Sequence, residues 1–465
     1  MQALRDAIRR GVLRPAEPLP STRLLARSLN VARGTVVEAF EQLVAEGFLE
    51  SRGRGTTRVA AAPTRPREES RRVRSGPKQK LSAAASHYAK VAEEFRSLRG
   101  VPFAISVPTG AVAPSDVWRR LGNRLRARGP ASPAGYSDPQ GALALREAIA
   151  EYVRRSRSVR CEARHVVVTT GTQQALYLAC RVLFDSDDTC WVENPAYRGI
   201  TAILESLERA DRMVRVTVDP EGLDVASGLK SDPNARAAFV TPSHQYPLGM
   251  PLSMRRREAL LSWARDHGSW IVEDDYDSEL RYAGHPFPAL QGLDPDRVIY
   301  IGTFSKILFP SLRLGYAVLP EDLVPAFCGA RILLDRHPPG GDQHVLAAFI
   351  SEGHLERHIR RIRVVYDQQR RDLLALIEKL IPKHLAWPHP SDQGMHLVLW
   401  LAPGIDDRLV VTRAAEAGVS LRAVSPMYAS GTARPGVVLG FGGFTLDQIR
   451  SALRRLAKVI EFSSE

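Results

Sequence analysis

Cysteine is scarce. The 465 residues include only Cys161, Cys180, Cys190 and Cys328, with no CxxC pair and no clustered histidines. This excludes a disulfide framework and a structural zinc site, so no metal is expected and a reducing, cytoplasmic setting is. No uninterrupted apolar run reaches the ~18 residues that span a bilayer, and no membrane partner is expected. The opening MQALRDAIRRGVLRP lacks an apolar core and does not read as a secretory signal. What is present is globular composition, 44% hydrophobic and 25% charged, which excludes wholesale disorder and collagen. The length points to two or three units rather than one core.

Positive charge is unevenly spread. Residues 1–80 hold 17 Lys/Arg against 8 Asp/Glu, which accounts for +9 of the formal +13. A small basic head therefore precedes a nearly neutral body. A basic head suits a polyanion, most often nucleic acid, although a solvated tail would carry the same charge.

Periodicity divides the head further. Leu4 and Ile8 mark a short first helix. Ser21 reads as the N-cap of a second, with Leu24, Leu25 and Leu29 on its inner face. A third runs from about Arg33 to Glu46, with Val36, Phe40, Leu43 and Val44 as its buried stripe. Phe48-Leu49 and Thr56–Val59 read as two strands around an Arg/Gly tip. Three helices and a basic hairpin are the order of a winged helix-turn-helix. Its third helix would offer Arg33, Gly34 and Thr35 to the major groove of an operator. Arg23, Arg33, Arg52, Arg54 and Arg58 would contact phosphates.

The stretch LPSTRLLARSLNVARGTVVEAFEQLVAEGFLESRGRGT (19–56) resembles the DNA-binding domain of GntR-type bacterial regulators over about 40 residues without a gap. The resemblance adds Ser21 to the expected double-stranded DNA contacts. Two departures are visible. Ala32 stands where the family usually has a capping Ser, and the first helix starts close to Met1.

Residues 61–100 begin with AAPTRPREESRRVRSGPKQK, poor in large apolar residues, and read as a flexible tether. Beyond them strands alternate with helices: Val166–Thr169 then Thr172–Leu183, Cys190–Glu193 then about Gly199–Leu207, Met213–Val218, Ala237–Thr241 then Arg255–His267, Trp270–Glu273, Val298–Ile301 and Leu314–Leu319. That rhythm predicts a mainly parallel sheet covered by helices, with ligands beyond the strand carboxyl ends.

Four polar signatures fall at those ends. Gly171-Thr172-Gln173 opens a helix after VVVTT and offers free N–H groups to a phosphate. WIVED runs into Asp274-Asp275-Tyr276, where a buried carboxylate needs a cation. Lys306 lies behind Thr303 and Ser305, well placed for Schiff-base chemistry. Arg313 follows, with a fork for a phosphate. An amine, an acid for a pyridine nitrogen and a phosphate cup together suit pyridoxal 5′-phosphate. Each alone has a plainer reading as a surface lysine or a turn.

Residues 101–465 resemble the fold-type I aminotransferases, and head and body together resemble the MocR/GabR class of transcription regulators. The motifs are GYSDPQGALALREAIAEYV (135–153), TTGTQQAL (169–176), VENPAYRG (192–199), TPSHQYPLG (241–249), IVEDDYDSELRY (271–282) and GTFSKILFPSLRLGY (302–316). The resemblance implies Lys306 as the imine lysine, Asp274 on the ring nitrogen, Tyr276 on the phenolic oxygen and Tyr197 stacked on the ring. Gly171, Thr172, Gln173, Thr303, Ser305 and Arg313 would hold the phosphate. Tyr136 would reach the phosphate of a partner subunit in a homodimer.

The expected architecture is a winged helix-turn-helix over 1–60, a tether over 61–100 and an α/β body over 101–465, whose smaller α+β subdomain starts at about 360. Two departures bear on turnover. The aminotransferase NPTG motif appears as Tyr246-Pro247-Leu248-Gly249, and Val438 occupies the place of the substrate-carboxylate arginine. Arg422 and Arg434 are the nearby substitutes. The expected function is a regulator sensing the cofactor or an amine or amino-acid effector. The alternative is a working aminotransferase with an accessory DNA-binding head.

Overall fold

Ser21 starts the second helix of the head as expected: its Oγ accepts the Leu24 N–H at 3.3 Å. Helices Gln2–Arg9, Thr22–Ser28 and Arg33–Ala45 precede an antiparallel hairpin of β1 (Leu49–Arg52) and β2 (Thr56–Val59). Ile8, Ala26, Val36, Phe40, Leu43, Leu49 and Val59 form its core. Leu24, Leu29 and Val44 depart from the expected inner faces and are 60%, 59% and 38% exposed. Leu29 stands past the helix end. Leu24 and Val44 are each one residue, about 100° of helix, away from the residue that does pack, Leu25 and Leu43. The third helix begins at Ala32 with no side-chain cap.

The computed structural model describes all residues except 53–55, 62–80, 96–99, 106, 108–113, 128, 130, 132–134, 285–286, 390, 430–432 and 465, together with the side chain of Arg52. The chain divides into two compact units, Met1–Ser82 and Ala83–Glu465. Within the stretch expected to be a tether, helix Ala83–Glu94 belongs to the second unit. Its alanines favour helix, and its Glu94 meets Arg198 of the body at 2.7 Å.

The body is built on eight strands: β3 (Val166–Thr169), β4 (Cys190–Asn194), β5 (Met213–Asp219), β6 (Gly222–Leu223), β7 (Ala237–Val240), β8 (Trp270–Asp275), β9 (Val298–Thr303) and β10 (Gly315–Val318). Their order is β3-β10-β9-β8-β7-β4-β5-β6. The run from β9 through β8, β7 and β4 to β5 is parallel, whereas β10 is antiparallel to both its neighbours. Strands β3, β4, β7 and β9 are buried throughout, which explains the apolar runs 166–168, 237–240 and 298–301. A smaller antiparallel sheet, β11 (Ala386–Pro388), β12 (His396–Leu401), β13 (Arg422–Ala423) and β14 (Gly436–Gly440), has the order β11-β12-β14-β13. It is accompanied by helices His354–Leu380, Asp407–Glu416 and Leu446–Phe462. No described helix is long and apolar enough to cross a membrane.

Candidate functional site

The parallel strands leave their carboxyl ends on one edge, and the polar signatures emerge there. A cavity of about 220 Å³ opens at this edge. Thr172, Tyr197, Asp274, Tyr276 and Lys306 line it from the large sheet's side, and His396 and Arg422 from β12 and β13.

Two adjacent carboxylates have opposite surroundings. Asp275 Oδ2 accepts from Arg157 Nε at 2.7 Å, Tyr300 Oη at 2.7 Å and Ser278 Oγ at 2.9 Å. Asp274 faces the cavity, and its buried Oδ1 has no hydrogen-bond partner among the described residues. Burial, then repulsion from Asp275, pushes the Asp274 carboxyl up to about 7 against the pull of Lys306. Burial likewise pushes Lys306 down to about 8, against the pull of Asp277 and Asp274. An orphaned acceptor beside a buried amine asks for a cationic N–H donor.

The expected phosphate cup is partly assembled. Gly171 (φ +105°) precedes helix Thr172–Leu183, and a Cβ there would stand 3.2 Å from the Arg313 guanidinium. Only glycine suits that backbone and that approach. Ser305 Oγ is buried with no hydrogen-bond partner among the described residues, whereas Thr303 Oγ1 accepts the Ser305 N–H at 3.2 Å and so serves its own turn. Gln173 is turned aside: its Nε2 donates to Gly199 O at 3.1 Å and its Oε1 accepts from Tyr197 Oη at 3.2 Å. Gly171, Thr172, Ser305 and Arg313, together with Asp274, fit a group with a pyridine nitrogen and a phosphate.

Tyr136, expected at a partner subunit's site, and Arg434 both stand outside this chain's cavity. Tyr136 is 81% exposed, edge-on to His337 and under Arg336, outside this chain's own cavity. Arg434 is stacked on Trp400 at 4.1 Å and is not among the cavity residues. Its flat cation finds an aromatic face before it reaches the cavity. Arg422, by contrast, lines the cavity and is the register partner of Val438. A guanidinium is thus supplied one strand over from the expected position.

Sequence reasoning passed over His244, Asp277, His396 and Phe95. His244 and Asp277 stood inside motifs read for other residues. His396 is a lone histidine in an apolar strand and carries no signal of its own. Phe95 follows helix Ala83–Glu94 and joins the cavity wall near Arg422, 5.9 Å from its guanidinium.

In the head, Arg23, Arg33, Gly34 and Thr35 are exposed. Ser21 is occupied as a cap. Arg58 Nη1 donates to Ala16 O at 3.1 Å, so part of its guanidinium is committed within the head. Arg54 and the side chain of Arg52 lie outside the described residues.

Comparison with known proteins yields matches for both units. The family of bacterial regulatory proteins, gntR family, matches residues 1–59, and the family aminotransferase class I and II matches residues 101–436. The chain is 35% identical to "Probable rhizopine catabolism regulatory protein MocR" of Rhizobium meliloti, over 98% of this chain and 92% of the relative. It is 33% identical to the HTH-type pyridoxine biosynthesis transcriptional regulator PdxR of Corynebacterium glutamicum, over 99% and 94%. Among solved structures it is similar to the alpha-aminoadipate aminotransferase LysN of Thermus thermophilus, complexed with N-(5′-phosphopyridoxyl)-L-leucine. The TM-score is 0.74 at 26% identity, over 83% of this chain and 98% of that one.

Proposed function

The chain belongs to the MocR/GabR-type regulators, which join a gntR-family head to an aminotransferase class I and II body, and on that premise we propose that it is a DNA-binding transcription regulator whose body holds pyridoxal 5′-phosphate on Lys306 and senses that cofactor or a small amine or amino acid. One observation carries the reading. The buried, unbonded Asp274 Oδ1 and the Lys306 amine share one cavity at the ends of adjacent parallel strands.

Each side chain has a task there. Lys306 presents the amine, and burial keeps a fraction of it neutral near pH 7. Asp274 would hold a proton on the ring nitrogen of a bound cofactor. The Tyr276 hydroxyl would meet the phenolic oxygen, and Tyr197 would cover the ring. Ser305, Arg313 and the N–H groups at Gly171-Thr172 would hold the phosphate, with the helix dipole adding to their pull. Bound there, pyridoxal phosphate supplies an aldehyde that joins amines reversibly and a ring that withdraws electrons. Arg422 is positioned to pair with an effector carboxylate.

The head supplies the output. Arg23 and Arg33 contact phosphates, and the start of helix Arg33–Ala45 enters the major groove. A homodimer would bring two heads to paired half-sites and place Tyr136 at the partner's site. Effector binding can bias the heads only if its affinity differs between two arrangements.

A second reading is a turnover aminotransferase, favoured by Arg422 in the cavity. Val438 in place of the expected arginine counts against it, because an apolar side chain cannot fork a carboxylate.

The test is direct. Purified protein is incubated with pyridoxal phosphate, reduced with borohydride and mapped by mass spectrometry, and binding to the DNA upstream of its own gene is measured in parallel. An adduct on Lys306 and saturable, salt-sensitive DNA binding are expected. No adduct would remove the cofactor assignment. Sustained transamination over many turnovers would establish the second reading.

A further inference from the structure

A second carboxylate lines the same cavity as Lys306, and none of the roles above uses it. Asp277 lines the cavity two residues past the end of β8. It pairs with His244, which follows β7: His244 Nδ1 is 2.9 Å from Asp277 Oδ2 and 3.0 Å from Oδ1, and both side chains are 2% exposed. Tyr276 Oη lies 3.1 Å from the same Nδ1, and the two rings stack at 5.8 Å. His244 Nε2 is buried without a hydrogen-bond partner among the described residues. The packing leaves this pair little freedom. A Cβ on Gly394 (φ +78°) would stand 2.1 Å from His244 Cε1 and 2.8 Å from Asp277 Oδ2.

We propose that Asp277 is the counter-ion that keeps Lys306 protonated at rest, and that His244 is a positioning residue that fixes Asp277 and Tyr276 in one polar line, so that the pair sets the pH at which Lys306 becomes a nucleophile.

The physical basis is charge balance in a buried site. An ammonium without a counter-ion is costly away from water. Asp277 and Asp274, which line the cavity with Lys306, both oppose the effect of burial on its amine, while Arg422 and Arg313 act in the other direction. His396 also faces the pair, from β12, with its ring 5.1 Å from His244. Its Nε2 lies 3.2 Å from Pro247 O, a neutral acceptor. Burial pushes its pKa down to about 3, so it adds no charge near neutrality. Asp277 is held through the His244 Nδ1–H, the tautomer that a carboxylate partner selects. Asp277, His244 and His396 also offer ligand atoms within 4.8 Å of one another. A cation there would displace the Asp277–His244 bond and repel the Lys306 ammonium.

This inference rests on Lys306 being the reactive amine of the proposed function, but not on uptake of the cofactor. The experiment therefore uses the full chain freed of pyridoxal phosphate. Acetylation of Lys306 by acetic anhydride is followed by peptide mass spectrometry as a function of pH. In Asp277→Asn the midpoint is expected to fall by about one unit, roughly a fivefold faster reaction at pH 7 from a starting value of about 8. His244→Asn moves it in the same direction by less, and Asp277→Glu restores it. An unchanged midpoint in both Asp277→Asn and His244→Asn overturns the proposal, as does a shift confined to Asp274→Asn. Stoichiometric Zn²⁺ binding that is lost in His396→Ala would overturn it in favour of a metal site. Loss of cofactor uptake with these midpoints as expected would instead count against the cofactor assignment alone.

Discussion

Arg157 pairs with Asp275 and not with its neighbour Asp274: the Nε–Oδ2 distance is 2.7 Å, and both side chains are almost fully buried. Arg157 Nη2 also donates to Ser243 Oγ at 2.6 Å, and Nη1 to Phe287 O at 2.6 Å. One carboxylate is thereby neutralised within the fold, and the other stays available to the cavity. Breaking a buried pair leaves an uncompensated charge, which costs about 3–5 kcal/mol. Arg157→Met is expected to lower the urea-unfolding free energy by that amount. The double variant Arg157→Met/Asp275→Leu should recover much of it, because it removes both charges.

Asp274 has the opposite consequence for pH. Its carboxyl is raised to about 7 in the fold by burial first and by Asp275 second, against an unperturbed 3.8. The folded chain then holds a proton that the unfolded chain releases, so this group's contribution is present below about pH 4 and lost as pH rises through 7. Without cofactor, thermal stability should fall from pH 5 to pH 8, and Asp274→Asn should flatten part of that slope. Glu193, Glu273 and Glu279, each pushed up to about 7 chiefly by burial, add to the slope. Added pyridoxal phosphate should reduce the slope by giving Asp274 a cationic partner. Calorimetric scans at several pH values, with and without the cofactor, test this.

Arg422 and Arg434 should separate cleanly. Arg422→Leu is expected to weaken the spectral response to amino acids about tenfold or more, as loss of a charged hydrogen-bond pair requires. The response to simple amines should stay within twofold. Arg434→Leu should leave both responses alone and cost no more than about 1–2 kcal/mol through the lost stacking on Trp400. Absorbance titrations with an amino acid and its decarboxylated amine, together with unfolding curves, distinguish the two.

In the head, neighbouring residues should behave differently. Leu43 is fully buried and Val44 is 38% exposed. Leu43→Ala should cost the head about 2–5 kcal/mol, while Val44→Ala should change little. Arg33→Ala should weaken operator binding and reduce its salt dependence by about one counterion, leaving cofactor uptake intact. Fluorescence anisotropy at several salt concentrations reads both effects.

Much of the architecture was legible because local pattern was enough for it. Val166–Thr169 and Thr172–Leu183 were readable to the residue, since a buried strand and an amphipathic helix each leave their own period and Gly171 separates them. The head was equally plain, except where a helix face had to be assigned by a single residue's rotation, as at Leu24 and Val44. Helix Ala83–Glu94 was hidden because its neighbours in sequence are polar and prolines precede it. Its reason to fold lies partly in contacts such as Glu94 with Arg198, over 100 residues away.

By itself, the order of amino acids determined a basic helical head, an α/β body, and a lysine, two aspartates and an arginine at strand ends, because propensity, period and turn chemistry act over a few residues. Which aspartate Arg157 would neutralise, which arginine would reach the cavity and that His244 would meet Asp277 were decided only by the fold. Those outcomes depend on distances between side chains many positions apart, set when the strands take their places in the two sheets.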